Sequence, residues 1–247
     1  MKQFILKLII AIVILPGALA AALYQLHQNG FFNIDQVEVV IEDIPSQRQF
    51  LKPSVLNLEE QLLRFKGESL WEISLRKVSD LIENKEWVRS VHVSRSWPST
   101  LKVTVKAHEV KMLYIGQQQQ LYPVVEDGRL LSPVSSELAP DVVLLDGDKF
   151  YRRPELRKRA VEVLNEIPSE GAFSRPQISE VRYDQKEGFW FTLVRSGIEV
   201  KMGEDQVAIK AARVSQVLDY LQQRQIDARV IDANLSKKVL VRLRKAP

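Results

Sequence analysis

The sequence predicts an α+β protein: a single N-terminal transmembrane helix, a small βααββ module, and a mostly antiparallel β domain with two helices. Three observations carry this prediction. Residues 8–23 hold only Leu, Ile, Ala, Val, Pro and Gly, with no charge. Residues 31–107 run strand, helix, helix, strand, strand. Beyond residue 111, short alternating segments are interrupted by two helical periodicities.

Extending the apolar run to Leu26 adds only Tyr24 and Gln25. The resulting span, residues 8–26, at ~1.5 Å per residue nearly matches a ~30 Å hydrocarbon core. Lys2 and Lys7 precede it in a short tail, residues 1–7, and no acidic residue occurs before Asp35. Positive flanking charge stays inside, so the remainder faces outside. Pro16-Gly17-Ala18-Leu19-Ala20 has the helix breaker and A-x-A-like site of a cleavable signal peptide. Apolar character continuing to Leu26, with Tyr24 at an interfacial position, suits a retained anchor. The local sequence leaves both readings open.

The chain has 247 residues, 35 basic against 31 acidic side chains, a net charge of +4 and no cysteine. The length beyond the span suffices for one large or two small domains. The charge is too mild to argue for nucleic acid. Without cysteine, disulfides, thiolate zinc sites and a cysteine nucleophile are excluded.

In residues 31–107, FFNIDQVEVVI (residues 31–41) alternates as a strand. Pro45 and Pro53 bracket a polar connection. A helix is expected over residues 54–65, with Val55, Leu58, Leu62 and Phe65 at helical spacing, and Gly67 closing it. Asn57 with Glu60 offers a capping box that would start it later. Ser74 caps a second helix carrying Leu75, Val78, Leu81 and Ile82 on one face. Residues 87–94 and 101–105 are strands about a Ser96-Trp97-Pro98-Ser99 turn.

In residues 108–247, strands are expected at 111–116, 121–125, 129–131, 141–145, 178–183, 189–194, 198–202, 228–231 and 238–243. Helices are expected at 153–167 and from Asp205 through Leu221. The basic run Arg152, Arg153, Arg157, Lys158 and Arg159 falls largely opposite Leu156 and Ala160, as a solvated face.

No catalytic motif is read in this chain. His27, His92 and His108 are distant in sequence from one another and from carboxylate clusters. No G-x-S-x-G, phosphate loop or G-x-G-x-x-G occurs. Asp146-Gly147-Asp148 lacks the Glu that completes a calcium loop, and Glu126-Asp127-Gly128 reads as a hairpin turn. The expectation is no enzyme: no catalytic residue, cofactor, metal or small-molecule substrate.

The order of elements in residues 31–107 resembles a POTRA domain. Trp87-Val88, Val91-His92-Val93, Arg95-Ser96-Trp97-Pro98 and residues 101–105 are similar to its last hairpin in the FtsQ/DivIB family of bacterial cell-division proteins. Residues 197–203 (GIEVKMG) with Lys210 resemble that family's G-x-x-V-x-L-G…K pattern, and Ile231-Asp232 its I-D position. The chain departs from the family's E-x-x-P at Glu109-Val110-Lys111, which lacks the Pro, and at Ala233-Asn234. The resemblance implies an anchor that is retained in the bacterial inner membrane as a single-pass type II protein, with its bulk periplasmic at the division septum. It implies a scaffold that binds FtsB-like and FtsL-like membrane proteins, joins early to late divisome proteins and so helps control septal peptidoglycan synthesis. The alternative is an exported POTRA-containing transport or envelope-assembly protein released by cleavage after Ala20. Partner binding is expected on the last strand by β-augmentation, at Lys238, Val239, Leu240, Val241, Arg242 and Leu243. Lys237, Arg244 and Lys245 flank it and would favour an acidic partner.

Overall fold

The computed structural model describes residues 15–42, 44–235 and 238–244. Lys2, Lys7, residues 8–14 of the expected span, Lys237 and Lys245 lie outside the described residues. The chain divides into two units, Met1–Asp43 with Leu51–Ala107 and Ile44–Phe50 with His108–Pro247.

In the first unit, α1 (Leu15–Gln28) buries none of its side chains. Among the described residues no helix is long and apolar enough to cross a membrane. The rest of the unit is β1 (Gln36–Glu42), most of α2 (Arg48–Leu62), α3 (Leu75–Glu83), β2 (Val88–Ser96) and β3 (Thr100–Ala107), with sheet order β1-β3-β2. β3 is central, parallel to β1 and antiparallel to β2. The period of two decides what is buried: Leu101, Val103 and Val105 are wholly inside, while Lys102 and Lys106 point outward. The parallel register sets Glu38 beside Lys102 and Glu42 beside Lys106, with ion pairs of 3.6 and 3.2 Å. Leu51, Leu58 and Leu62 of α2, and Val78 and Ile82 of α3, complete the core.

Two expectations are corrected here. The first helix begins at Arg48, ahead of residue 54, and contains Pro53. Proline removes the donor for the Gln49 carbonyl alone, in an exposed first turn where water can replace it. The Leu51, Leu58, Leu62 stripe outweighs that loss, at ~1.5–3 kcal/mol per buried side chain. Residues 31–35 are not strand. They cross residues 67–70 through Leu70 N–H to Phe32 O at 2.9 Å and Ile34 N–H to Glu68 O at 2.8 Å. The expected Ser74 cap is present, its Oγ accepting from Lys77 N–H at 3.4 Å.

The second unit is an eight-stranded sheet: β4 (Val110–Ile115), β5 (Leu121–Val125), β6 (Val143–Asp146), β7 (Ile178–Asp184), β8 (Gly188–Leu193), β9 (Glu199–Gly203), β10 (Ala228–Asp232) and β11 (Leu240–Leu243), in the order β11-β10-β9-β8-β7-β6-β4-β5. Its helices are α4 (Asp148–Arg152), α5 (Pro154–Glu166) and α6 (Val207–Gln223). Four pairings are antiparallel and three parallel, so the sheet is more mixed than its short strands imply. A helix between sheet neighbours is a crossover, which makes them parallel. This is the case for β6-α4-α5-β7 and for β9-α6-β10. Phe150, Phe173, Phe189 and Phe191 fill the core between the sheet and the buried faces of α5 and α6.

The β5 end is overlaid by its own chain. Residues 129–134 return antiparallel, with Leu131 N–H donating to Pro123 O at 2.9 Å and Val134 N–H to Leu121 O at 2.8 Å. From the segment Ile44–Phe50, the buried Gln47 amide donates to Val110 O at 2.8 Å and accepts from Val110 N–H at 3.1 Å. Phe50 packs on Val110, Val125 and Leu131.

The basic run also departs from expectation at one position. Arg157 is buried, donating to Gly128 O at 2.7 Å, Phe150 O at 2.5 Å and Tyr151 O at 2.9 Å. It satisfies carbonyls at the end of α4 and in the turn before residue 129, and burial pushes its guanidinium pKa down. Arg152, Arg153 and Lys158 are exposed, as a solvated face requires.

Candidate partner-binding edge

β11 holds four of the six expected contact residues, Leu240, Val241, Arg242 and Leu243. Lys238 and Val239 precede it. It pairs antiparallel with β10 (Asp232↔Leu240, Ile231↔Val241, Val230↔Arg242), and no described strand pairs with its other side. Alternation turns Val239 and Val241 onto the core and leaves Leu240 and Arg242 exposed. Leu240 is 47% and Leu243 59% exposed. Arg244 closes the strand, its N–H donating to Asp227 O at 2.9 Å and its guanidinium to Ser196 O at 3.2 Å. Such an edge is a row of unpaired N–H and C=O groups flanked by apolar and cationic side chains. It can accept an extended acidic segment as a further strand.

Beside this edge, motif residues separated in sequence form one knot. The Lys210 ammonium, 4% exposed, meets three acceptors: Asp205 Oδ1 at 2.6 Å, Met202 O at 3.0 Å and Asn234 Oδ1 at 3.2 Å. Its three donors are thereby matched. Hydrogen bonding from Lys210 holds the Asp205 carboxyl below its usual value. Asn234 N–H donates to Asp232 Oδ1 at 3.0 Å, and Asp232 Oδ2 lies 3.5 Å from Lys201 Nζ. Lys201 also bonds Glu187, which raises the lysine's pKa. Gly203 has φ +78°, and a Cβ there would meet Asn234 Oδ1 at 2.1 Å. The motif glycine is therefore required by close approach as well as by backbone conformation. Asn234, at a position where the chain departs from the family pattern, is the member that sequence reasoning missed.

The histidines divide. His92 is exposed, and His27 lies 3.9 Å from Glu72. His108 corrects the expectation that it stands apart from carboxylates: Nδ1 lies 3.0 Å from Glu126 Oε1, and Nε2 2.8 Å from Arg129 Nη2. A guanidinium only donates, so Nε2 accepts and Nδ1 carries the proton given to Glu126. Arg129 also binds Asp127 through Nε at 2.7 Å and its backbone N–H at 2.9 Å. Burial would raise the Asp127 pKa, but these bonds and the nearby positive charge outweigh it and hold it low. The turn read from Glu126-Asp127-Gly128 is real, and folding it back brings these groups together.

A cleft of about 400 Å³ is lined by Tyr114, Tyr122, Tyr151, Gln118, Asp148 and Arg152 among others. Burial and the Asp148 charge raise the Tyr114 phenol pKa, so it stays protonated. Among the described residues, no group of three or more His, Asp or Glu side chains could hold a metal ion.

Comparison with known proteins follows the two units. Residues 113–234 match the family model described as cell division protein FtsQ/DivIB, C-terminal, and residues 54–108 that of the POTRA domain, FtsQ-type. A cell division protein FtsQ of Syntrophotalea carbinolica is 22% identical over 246 residues, covering 96% of this chain and 81% of that protein. A cell division protein FtsQ of Geobacter sp. (strain M21) is 24% identical over 71% of this chain and 66% of its own length. A cell division protein DivIB of Solibacillus silvestris is 26% identical over 69% of this chain and 57% of its own length. With a POTRA domain, a sheet-rich C-terminal domain and both family models in chain order, the chain belongs to the FtsQ/DivIB family of cell-division proteins.

Proposed function

We propose that the chain is a non-catalytic, membrane-anchored scaffold of the division septum. It captures FtsB-like and FtsL-like membrane proteins by adding a partner strand to β11, linking early to late divisome proteins and so controlling septal peptidoglycan synthesis. The observation that carries this is the outer side of β11, an edge without a described strand beside exposed Leu240 and Arg242. Main-chain bonds would supply affinity, Leu240 and Leu243 apolar contact, and Lys238 and Arg242 attraction to an acidic partner. Anchorage rests on residues 8–26 of the sequence and on α1, whose apolar side chains Leu15, Leu19 and Leu23 face no protein core. α1 runs unbroken through Ala18-Leu19-Ala20, which favours retention. The proposed placement is the inner membrane, single-pass, with both units on the periplasmic side.

Co-purification of the full-length chain from membranes tests the scaffold. Leu243→Pro should lower recovery of FtsB-like and FtsL-like partners by about tenfold or more while the fold is kept. The Arg244 N–H bond to Asp227 O turns the neighbouring Leu243 N–H away from β10, so the substitution removes one donor from the outer row. Undiminished recovery would take β11 out of the account. N-terminal sequencing tests anchorage: an intact Met1 is expected, and a new terminus after Ala20 would favour a released protein.

A further inference from the structure

We infer that Phe31, Trp71 and Trp97 form an interfacial lipid-contacting surface that seats the first unit on the bilayer holding α1; this rests on the proposed anchorage. Three segments supply the rings. Phe31 and Phe32 leave α1, Trp71 lies in the loop before α3, and Trp97 sits in the β2–β3 turn. Phe32 is the hub, 5.2 Å from Phe31, 5.9 Å from Trp71 and 5.9 Å from Trp97 between ring centroids; Trp71 and Trp97 are 4.7 Å apart. A cluster this large would normally be core, yet Phe31 is 51%, Trp71 58% and Trp97 49% exposed.

The surface is built rather than loose. Leu70 N–H to Phe32 O pins the loop to the helix exit. Arg95 donates from Nε to Leu70 O at 2.6 Å and from Nη2 to Ile73 O at 2.8 Å, fixing both sides of Trp71. Asp35 N–H to Ser99 O at 2.9 Å holds the turn that carries Trp97.

Continuity with α1 identifies the occupant. The helix closes at Gly30, with Phe31 N–H donating to Leu26 O at 3.0 Å. Phe31 is three residues beyond Gln28, and three residues span at most ~10 Å. The headgroup layer on each side of the hydrocarbon core is about 5–8 Å thick. A helix with no buried side chain, once in lipid, therefore delivers this cluster to headgroup depth, where aromatic rings with a polar edge are favoured.

The test uses the full chain reconstituted into phosphatidylethanolamine–phosphatidylglycerol vesicles that contain phosphatidylcholine brominated near the headgroup or near the acyl-chain end. Trp87→Phe and Trp190→Phe leave Trp71 and Trp97 as emitters. The shallow bromolipid should quench them about twofold and the deep one far less, as for interfacial rings. Should those replacements unfold the chain, a bimane label on Phe31→Cys, unique in a chain without cysteine, reads the same contact. Flotation of the chain with vesicles but without quenching overturns this surface and leaves the anchor standing, as expected of a patch that faces a protein. Stronger quenching by the deep lipid overturns its interfacial depth. A chain that does not float overturns the anchor and this surface together.

Discussion

At one end of the eight-stranded sheet, residues 129–134 lie over β5 and donate Leu131 and Val134 N–H groups to it. At the other end, β11 has β10 on one side and no described strand on the other. Both ends are tied down from behind. Arg157 and the His108-Glu126-Arg129 bonds hold the overlay at β5, and the Lys210-Asn234-Asp232 knot holds the turn that leaves β10. The difference is confined to the outer row of backbone groups. One row is filled by the same chain, and the other is presented on an equally well supported strand.

That comparison can be broken at several points, from the largest effect down. Gly203→Val forces a side chain into Asn234 at a left-handed φ. It should cost about 3 kcal/mol or more, read from urea unfolding, with loss of the β11 end. Unchanged stability would remove the knot as a support. Arg157→Met leaves three carbonyls at the closed end without their donor and should cost about 2–3 kcal/mol. At a temperature where the variant is folded, partner recovery should not change, which separates support of β5 from capture at β11. Val134→Pro is the counterpart of Leu243→Pro at the opposite end. It should cost about 1 kcal/mol of stability by deleting the donor to Leu121 O, with no loss of partner. Equal loss of partner from both proline variants would mean that capture reports general sheet damage.

The smallest effect is one of pH. Because Lys210 holds the Asp205 pKa down, the pair contributes stability above the unfolded carboxylate pKa, and this is lost as pH falls through the folded value. Asp205→Asn should therefore unfold more easily than the parent at pH 7. The gap should begin to narrow below about pH 4 and close as pH falls through the lower folded value. A gap that persists in acid would mean that Asp205 acts through something other than its charge.

Elements were legible wherever apolar side chains repeat with one clear period: Leu101, Val103 and Val105 in β3, or Val207, Ala211 and Val214 in α6. Boundaries failed where a breaker competed with such a stripe, as Pro53 did with Leu51 and Leu58. The parallel pairings were hidden because strand composition carries no direction; intervening helices encode it for β6–β7 and β9–β10, whereas β4 and β6 become parallel neighbours with only β5 and its return segment between them. The polar networks were illegible for another reason. Arg157 looks like one more cation in a basic run, and His108 has no carboxylate near it in sequence except Glu109. Their partners arrive only when a turn folds back. Of the candidate edge, the last strand and its cations were readable in sequence, whereas which of its side chains stay exposed, and the lack of a described strand beside it, are properties of the whole sheet.

The short segment Ile44–Phe50 carries a practical consequence. The family matches, residues 54–108 and 113–234, invite dissection of the chain at about residue 108. A fragment beginning there would lose both Gln47 bonds to Val110 and would open an apolar hollow where Phe50 covers Val110, Val125 and Leu131. Such a fragment would have acquired a second adhesive site, and binding seen with it would be an artefact of the cut. A capture assay that includes residues 44–50 reports on β11 without that false signal.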